Sequence, residues 1–347
     1  MTMKRRFSAA ILMFGLVLNG LAYGDLRGGN VRESREERPP APVAPIAAKA
    51  PVEIYKAFPL RWSWSAAPNV PVWRQEGGPF VPYYQEWGNQ RTLAGNGEQQ
   101  VYVDPSAWKN AGLNVVSYDA ASKSLVIHPR RATPDEKTLT GYEVLSAMFS
   151  LEQLPQACPK TGVWRIVVKL PGGGQGGPAY QGAFPALWLM MHKYPHGTYG
   201  PPQGDPFFEK HVELDIFEGH GRDPKTLYVT DPKQAPFDKA PEAPKHQVVK
   251  SETDVSDGFH EFLTVVTEES WRVYLDGVLI SSRPETNIAK SYEKYLIVNL
   301  AVGGKWFGNI NAESDLSKWE LALKSIDVYD LPSGFKDSDV PDQPAAK

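Results

Sequence analysis

An all-β fold is what this sequence predicts, on two observations. Short runs rich in Val, Ile, Tyr and Leu recur between turn residues, as in "QQVYVD", "LNVVSYD", "KSLVIHP", "GVWRIVVKL", "HVELDIF", "EFLTVVT", "KYLIVNLAV" and "KSIDVYDL". No stretch sustains a long apolar period of 3.6 residues, and no internal repeat of solenoid length is present. Many short strands without helices imply a β-sandwich or barrel, and a body of roughly 275 residues is ordinary for one all-β domain.

Along the chain, Lys4, Arg5 and Arg6 precede the apolar stretch "FSAAILMFGLVLNGLAYG". This reads as a signal peptide over residues 1–24, with Ala22 and Gly24 as the small residues before cleavage. The apolar run falls short of the ~20 residues of a membrane span and contains Asn19, so no stable membrane association is expected after cleavage. A secreted or periplasmic location follows as an expectation. Residues 25–55 form a charged, then Pro/Ala-rich linker, which cannot bury enough apolar surface to offset chain entropy. A folded domain is expected over 56–331 and a flexible tail over 332–347. Within the domain, "YLDGVLI" predicts a hairpin, because Asp276-Gly277 suits a type I′ turn. "SYEKYL" and "YEVLSAMFSLEQL" can be read as helix, and the latter also fits a strand.

The 347 residues are 22% charged and 41% apolar, a soluble globular balance. Cys158 is the single cysteine, so no internal disulfide can form. Loss of the three basic signal residues shifts the formal charge from -3 to -6, which argues against nucleic acid as a partner. The 10 Trp and 15 Tyr suit either a packed core or a cleft where flat rings stack on sugars. No cofactor is called for, and the chain is expected to act as a monomer.

The chemistry concentrates in "HVELDIFEGHG" (211–221), where Glu213, Asp215 and Glu218 fall within six residues. On a strand, Glu213 and Asp215 share one face, and Val212, Leu214 and Ile216 share the other. Strict alternation would send Glu218 into the core, at several kcal/mol. A β-bulge at Ile216-Phe217 adds one residue and returns Glu218 to the acidic face. Adjacent like charges destabilise a sheet, so the arrangement makes sense if it splits the pKa values. One neutral acid and one carboxylate is what glycoside cleavage uses. Inward-leaning Glu213 and Glu218 would bring their carboxyls to about 5–6 Å, which suits a retaining double displacement. Two other readings stay open: a solvated acidic strand, or a Ca²⁺ site, for which carbonyl-rich loop spacing is missing.

"ELDIFE" resembles the Glu-x-Asp-x-x-Glu signature of family 16 glycoside hydrolases in its bulged, laminarinase-like form. Other stretches follow the family's order: "GNGEQQVYVD" (95–104), "FPALWLM" (184–190), "FHEFLTVVTEESWRVYLDGVLI" (259–280) and "YLIVNLAVGGKWFG" (295–308). The resemblance covers residues 61–330 and implies a concanavalin A-like jelly-roll β-sandwich of two curved antiparallel sheets. It implies Glu213 as nucleophile, Glu218 as general acid/base and Asp215 as the assisting residue between them. Trp188, Trp306, His260, Asn299 and His220 would bind substrate. For Trp188 a core role, for His260 a structural hydrogen bond and for Asn299 backbone support are the alternatives.

Departures also stand out. Val266 occupies a position where the family has Trp, with Trp271 following later. Lys324 replaces the Asp that helps bind calcium in the family, so no metal is expected. "KLPGGGQGGPAYQGAFPALW" reads as a flexible insertion near the cleft and lacks the features of a phosphate loop. The expected function is a secreted, retaining endo-β-glycanase acting on β-1,3- or β-1,3/1,4-glucan or on a bacterial exopolysaccharide. A transglycosylase remodelling the producer's own polymer would keep the same residues. A lectin-like binding domain would not need all three acids.

Overall fold

The structure is a computed structural model that describes residues 55, 57–84, 90–109, 111–191, 213–230, 247–284 and 292–339. The signal peptide, linker residues 25–54, residues 192–212 and the last residues of the tail are among those outside this set. The strands are β1 (Leu60–Ser65), β2 (Gln100–Tyr102), β3 (Val116–Asp119), β4 (Ser124–Ile127), β5 (Arg130–Arg131), β6 (Val144–Ser146), β7 (Met148–Ser150), β8 (Gly162–Lys169) and β9 (Ala183–Met191). They continue with β10 (Glu213–His220), β11 (Asp223–Thr230), β12 (Gln247–Lys250), β13 (His260–Val266), β14 (Ser270–Leu275), β15 (Val278–Pro284), β16 (Lys294–Val302) and β17 (Leu321–Tyr329).

Two antiparallel sheets form the expected jelly-roll sandwich. One runs β15-β14-β13-β8-β17-β4-β3, with β1 also paired to β17. The other runs β12-β11-β10-β9-β16-β7 and carries the acidic strand in its interior. A small third sheet orders β2-β6-β5, with β2 and β6 parallel. The sheets are stapled by apolar side chains that alternate inward. Phe217 of β10 meets Phe262 of β13 at 5.2 Å between ring centroids, and Trp64 of β1 packs edge-on against Phe80 at 5.0 Å. β9 and β16 are buried along their whole length, which explains why their sequences read as continuous apolar runs rather than alternating ones.

The predicted hairpin is present: Asp276 and Gly277 take φ of 49° and 80°, both positive as a type I′ turn requires. The ambiguous "YEVLSAMFSLEQL" is strand, contributing β6 and β7. Among the described residues one α-helix departs from the all-strand expectation, α1 (Pro134–Thr140). Its signal is a capping box: Glu136 N donates to Thr133 Oγ1 and Thr133 N donates to Glu136 Oε2, with Pro at the first turn.

Contacts of the domain reach Tyr55 at one end and Asp337 at the other. Tyr55, placed in the linker by composition, donates its hydroxyl to Glu261 and packs against Tyr329. Glu261 also accepts from Arg165 at 2.6 Å, and Arg165 reaches Asp327 at 2.8 Å, so Tyr55 joins an ion-pair network across β13, β8 and β17. The tail is held at its start. Asp337 accepts from both terminal nitrogens of the buried Arg272, at 2.7 and 2.9 Å, and from Thr267 and Ser270. A buried guanidinium needs a carboxylate partner, and the tail supplies it.

Candidate active site

The register of β10 contains the bulge. Against β9, Glu213, Leu214 and Asp215 face Met190, Leu189 and Trp188, and then Phe217 and Glu218 face Leu187 and Ala186. Ile216 is the extra residue, and the register against β11 slips in the same place. Ile216 and Phe217 are both fully buried. Phe217 therefore takes the core position that strict alternation assigns to Glu218, and Glu218 returns to the face of Glu213 and Asp215.

The three acids sit in unlike surroundings. Asp215 is 4% exposed between Trp188 on β9 and Thr230 on β11. Glu218 accepts from Thr230 Oγ1 at 3.3 Å. Burial, and then the charge of Glu213, push its carboxyl up to about 8. Glu218 is thus a carboxylic acid at neutral pH, able to donate a proton.

Trp188 and Asn299 form the floor beside the acids. Trp188 is 5% exposed, and its indole N–H donates to Asn299 Oδ1 at 2.8 Å. Asn299 Nδ2 donates in turn to the hydroxyl of Tyr102 at 3.0 Å. Asn299 therefore orients side chains rather than serving only the backbone. Tyr84, which the sequence reading missed, packs against Trp188 and Tyr102 at 5.7 and 6.2 Å. Burial, and then the charges of Glu98 and Glu213, raise its phenol well above the usual range. Tyr84 thus lies between the acidic strand and the segment that carries Glu98.

An aromatic wall closes the other end. Trp306 is 41% exposed, stacks on Phe307 at 4.5 Å and meets Tyr228, the cross-strand partner of Glu218, at 5.0 Å. Phe184 and His220 both lie edge-on to Phe307. His220 accepts from Arg222 N through Nδ1, which leaves Nε2 as its N–H, and burial lowers its pKa, favouring the neutral ring. The Gly-rich connection packs tightly at this end instead of forming a loose insertion. Gly177 N donates to Arg222 O at 2.8 Å, and Gly174 N donates to Ser256 Oγ at 2.9 Å. A Cβ on Gly176 (φ +68°) would stand 2.3 Å from Arg222 O, so glycine is required there.

His260 is not in this group. It belongs to β13 in the opposite sheet, where it bonds Asp276 at 2.7 Å and Asp257 at 3.0 Å. Burial pulls its pKa down, but the two aspartates prevail and raise it. The hydrogen-bonded structural role fits this position. The positions noted as differing from the resembled family, Val266 and Lys324, have contacts of their own. Trp271 lies directly across from Val266 and donates its indole N–H to Thr264, so the indole comes from the neighbouring strand. Lys324 places its ammonium 4.6 Å from the Phe259 ring centroid.

No family model matches the sequence. The chain is 30% identical over 229 residues to the endo-1,3-1,4-beta-glycanase EglC of Rhizobium meliloti (strain 1021), a match covering 65% of this chain and 43% of that protein. The chain spans about half the length of the curated relatives it matches. In fold it superimposes on the laminarinase catalytic domain of Thermotoga maritima MSB8 with a TM-score of 0.55 at 23% identity, covering 79% of this chain and 99% of that one. It superimposes equally, at 0.55 and 20% identity, on SCLam, a non-specific endo-beta-1,3(4)-glucanase from family GH16, covering 79% of this chain and 91% of that one. The chain is thus a sequence relative of bacterial endo-β-glycanases that has the laminarinase fold of glycoside hydrolase family 16.

Proposed function

We propose that this protein is a secreted, retaining endo-β-glycanase that cleaves internal bonds of a β-1,3- or mixed β-1,3/1,4-glucan. The observation that carries the reading is the bulge: it sets Glu213 and Glu218 on one face, where desolvation of the half-buried Glu218 and the charge of Glu213 push its carboxyl up to about 8. In the first step Glu218 donates its proton to the glycosidic oxygen while the Glu213 carboxylate attacks the anomeric carbon. The leaving chain departs as an alcohol and a glycosyl-enzyme ester remains. Glu218, now a carboxylate, then takes a proton from water as the water oxygen displaces Glu213. Asp215, between the two, hydrogen-bonds the nucleophile and tunes its protonation. The names of the relatives and structural neighbours support the glucan linkages, and residues 1–24 support export.

The test is oligosaccharide release from laminarin, lichenan, agarose, carrageenan and the producer's own polysaccharide. Release is expected from laminarin or lichenan, and E213Q is expected to abolish it while retaining fold and binding. Normal activity in E213Q would remove Glu213 from the reaction. Redistributed chain lengths without new reducing ends, read by mass spectrometry, would make the enzyme a transglycosylase.

A further inference from the structure

A fourth carboxylate, outside the acidic strand, ends a directed chain of hydrogen bonds that begins at the floor of the site. Trp188 Nε1–H donates to Asn299 Oδ1 at 2.8 Å, Asn299 Nδ2 donates to Tyr102 at 3.0 Å, and Tyr102 donates to Glu98 Oε2 at 3.4 Å. The direction of this chain is forced at its first two links. An indole can only donate, which turns the oxygen of Asn299 toward it. The amide nitrogen then faces Tyr102, whose oxygen accepts; the phenolic hydroxyl donates to Glu98 and also lies in hydrogen-bond contact with Tyr84. Gln100 Nε2 at 2.7 Å and Leu93 N at 3.2 Å converge on the same oxygen of Glu98, and Asn96 Nδ2 reaches the other at 3.5 Å. Every contact offers Glu98 a donor, so the chain terminates there.

The backbone around Glu98 is fixed to the same region independently. Glu98 forms an isolated bridge with Gly303 at the base of the loop that carries Trp306, and Lys305 N donates to Asn96 O at 2.8 Å. Gln100 Oε1 accepts from Val302 N at 2.7 Å. The segment therefore cannot drift relative to β16, and the carboxylate stands at a set distance from Asn299. Glu98 itself is 9% exposed, so its groups have little water to replace lost partners.

We infer that Glu98 is a positioning residue for the glycanase site, setting the plane of the Trp188 indole next to Asp215 through Tyr102 and Asn299. This rests on the proposed glycanase function only for its catalytic consequence. The structural part stands on the hydrogen bonds alone.

The chain is tested in full-length protein labelled with ¹⁵N-Trp, in which the Trp188 indole resonance is assigned with W188F. Two breaks are made: E98L removes the terminal acceptor, and Y102F removes only the relay hydroxyl, with almost no change in volume. Both are expected to speed exchange of the Trp188 indole N–H at least about tenfold, while E98Q, which keeps an oxygen acceptor, recovers most of the protection. On the glucan that the wild type cleaves, E98L and Y102F should each lower kcat about tenfold with KM little changed, and the double variant should lose no more than the worse single one. Unchanged indole exchange in Y102F, or losses that multiply in the double variant, would overturn the inference. If E98L fails to fold, Y102F decides. A wild type inactive on every glucan would count against the proposed function, and the exchange measurement would still decide the role of Glu98.

Discussion

Glu218 is held under two opposed demands. The proposed reaction asks for a protonated carboxyl at neutral pH, and desolvation beside Glu213 raises the titration of Glu218 from 4.5 to about 8. The cost falls on stability, and its sign follows from which state holds the proton. Below pH 4.5 both folded and unfolded chains keep the proton and no penalty arises. Between that value and about 8 the unfolded chain releases it while the folded chain retains it, so the native state loses stability as pH rises. E218Q cannot ionise, so at pH 8 it should be more stable than the wild type by about 1–3 kcal/mol, and at pH 4 the two should match. Urea melts at both pH values measure this, and equal stability at pH 8 would mean that Glu218 is not held neutral by the fold. The same substitution should lower the rate on natural glycan by about 10²–10⁴, the usual worth of a general acid.

The bulge in β10 makes a prediction about the strand as a unit. Because Asp215, Phe217 and Glu218 already face consecutive residues of β9, removing Ile216 leaves that register intact and restores plain alternation. The deletion should fold, keep Glu218 opposite Ala186, and lose about 2–5 kcal/mol with the buried Ile216 side chain. Deleting Ile216 and Phe217 together moves Glu218 by one further position and turns it into the core, so this variant should not fold. Thermal melts of the two deletions decide it; equal damage from both would contradict the bulge. This element was legible in the sequence, because a strand cannot bury a lone carboxylate while leaving Phe217 outside. The hairpin at Asp276-Gly277 was legible for a similar reason, since the turn demands positive φ at both residues. Other elements were not. β1 and β11 mix polar and apolar residues, and only pairing with β17 and β10 makes them strands. α1 did have a local signal in Thr133 and Glu136, but seven residues give too short a period to read.

On the scale of the whole molecule, the site is a product of closure. β10 supplies the acids, while Tyr84, Glu98 and Tyr102 arrive from a segment more than 100 residues earlier, and Trp306 from the loop after β16. Such long-range neighbours leave no spacing in a sequence, so Tyr84 went unseen, and Glu98 and Tyr102 drew notice only within a family-like stretch. His260 shows the converse: a motif close to the family's still placed its side chain in the opposite sheet, between two aspartates. In the proposed reaction the sandwich sets a proton donor on the leaving-group side of the scissile bond and a nucleophile on the opposite side of the anomeric carbon. The claim that these act by double displacement predicts the stereochemistry of the product. Proton NMR of reducing ends released from laminarin or lichenan, recorded within the first minutes, should show the β-anomer first, with the α-anomer growing in only by mutarotation. An α-anomer formed first would contradict the retaining mechanism and, with it, the assignment of Glu213 as nucleophile.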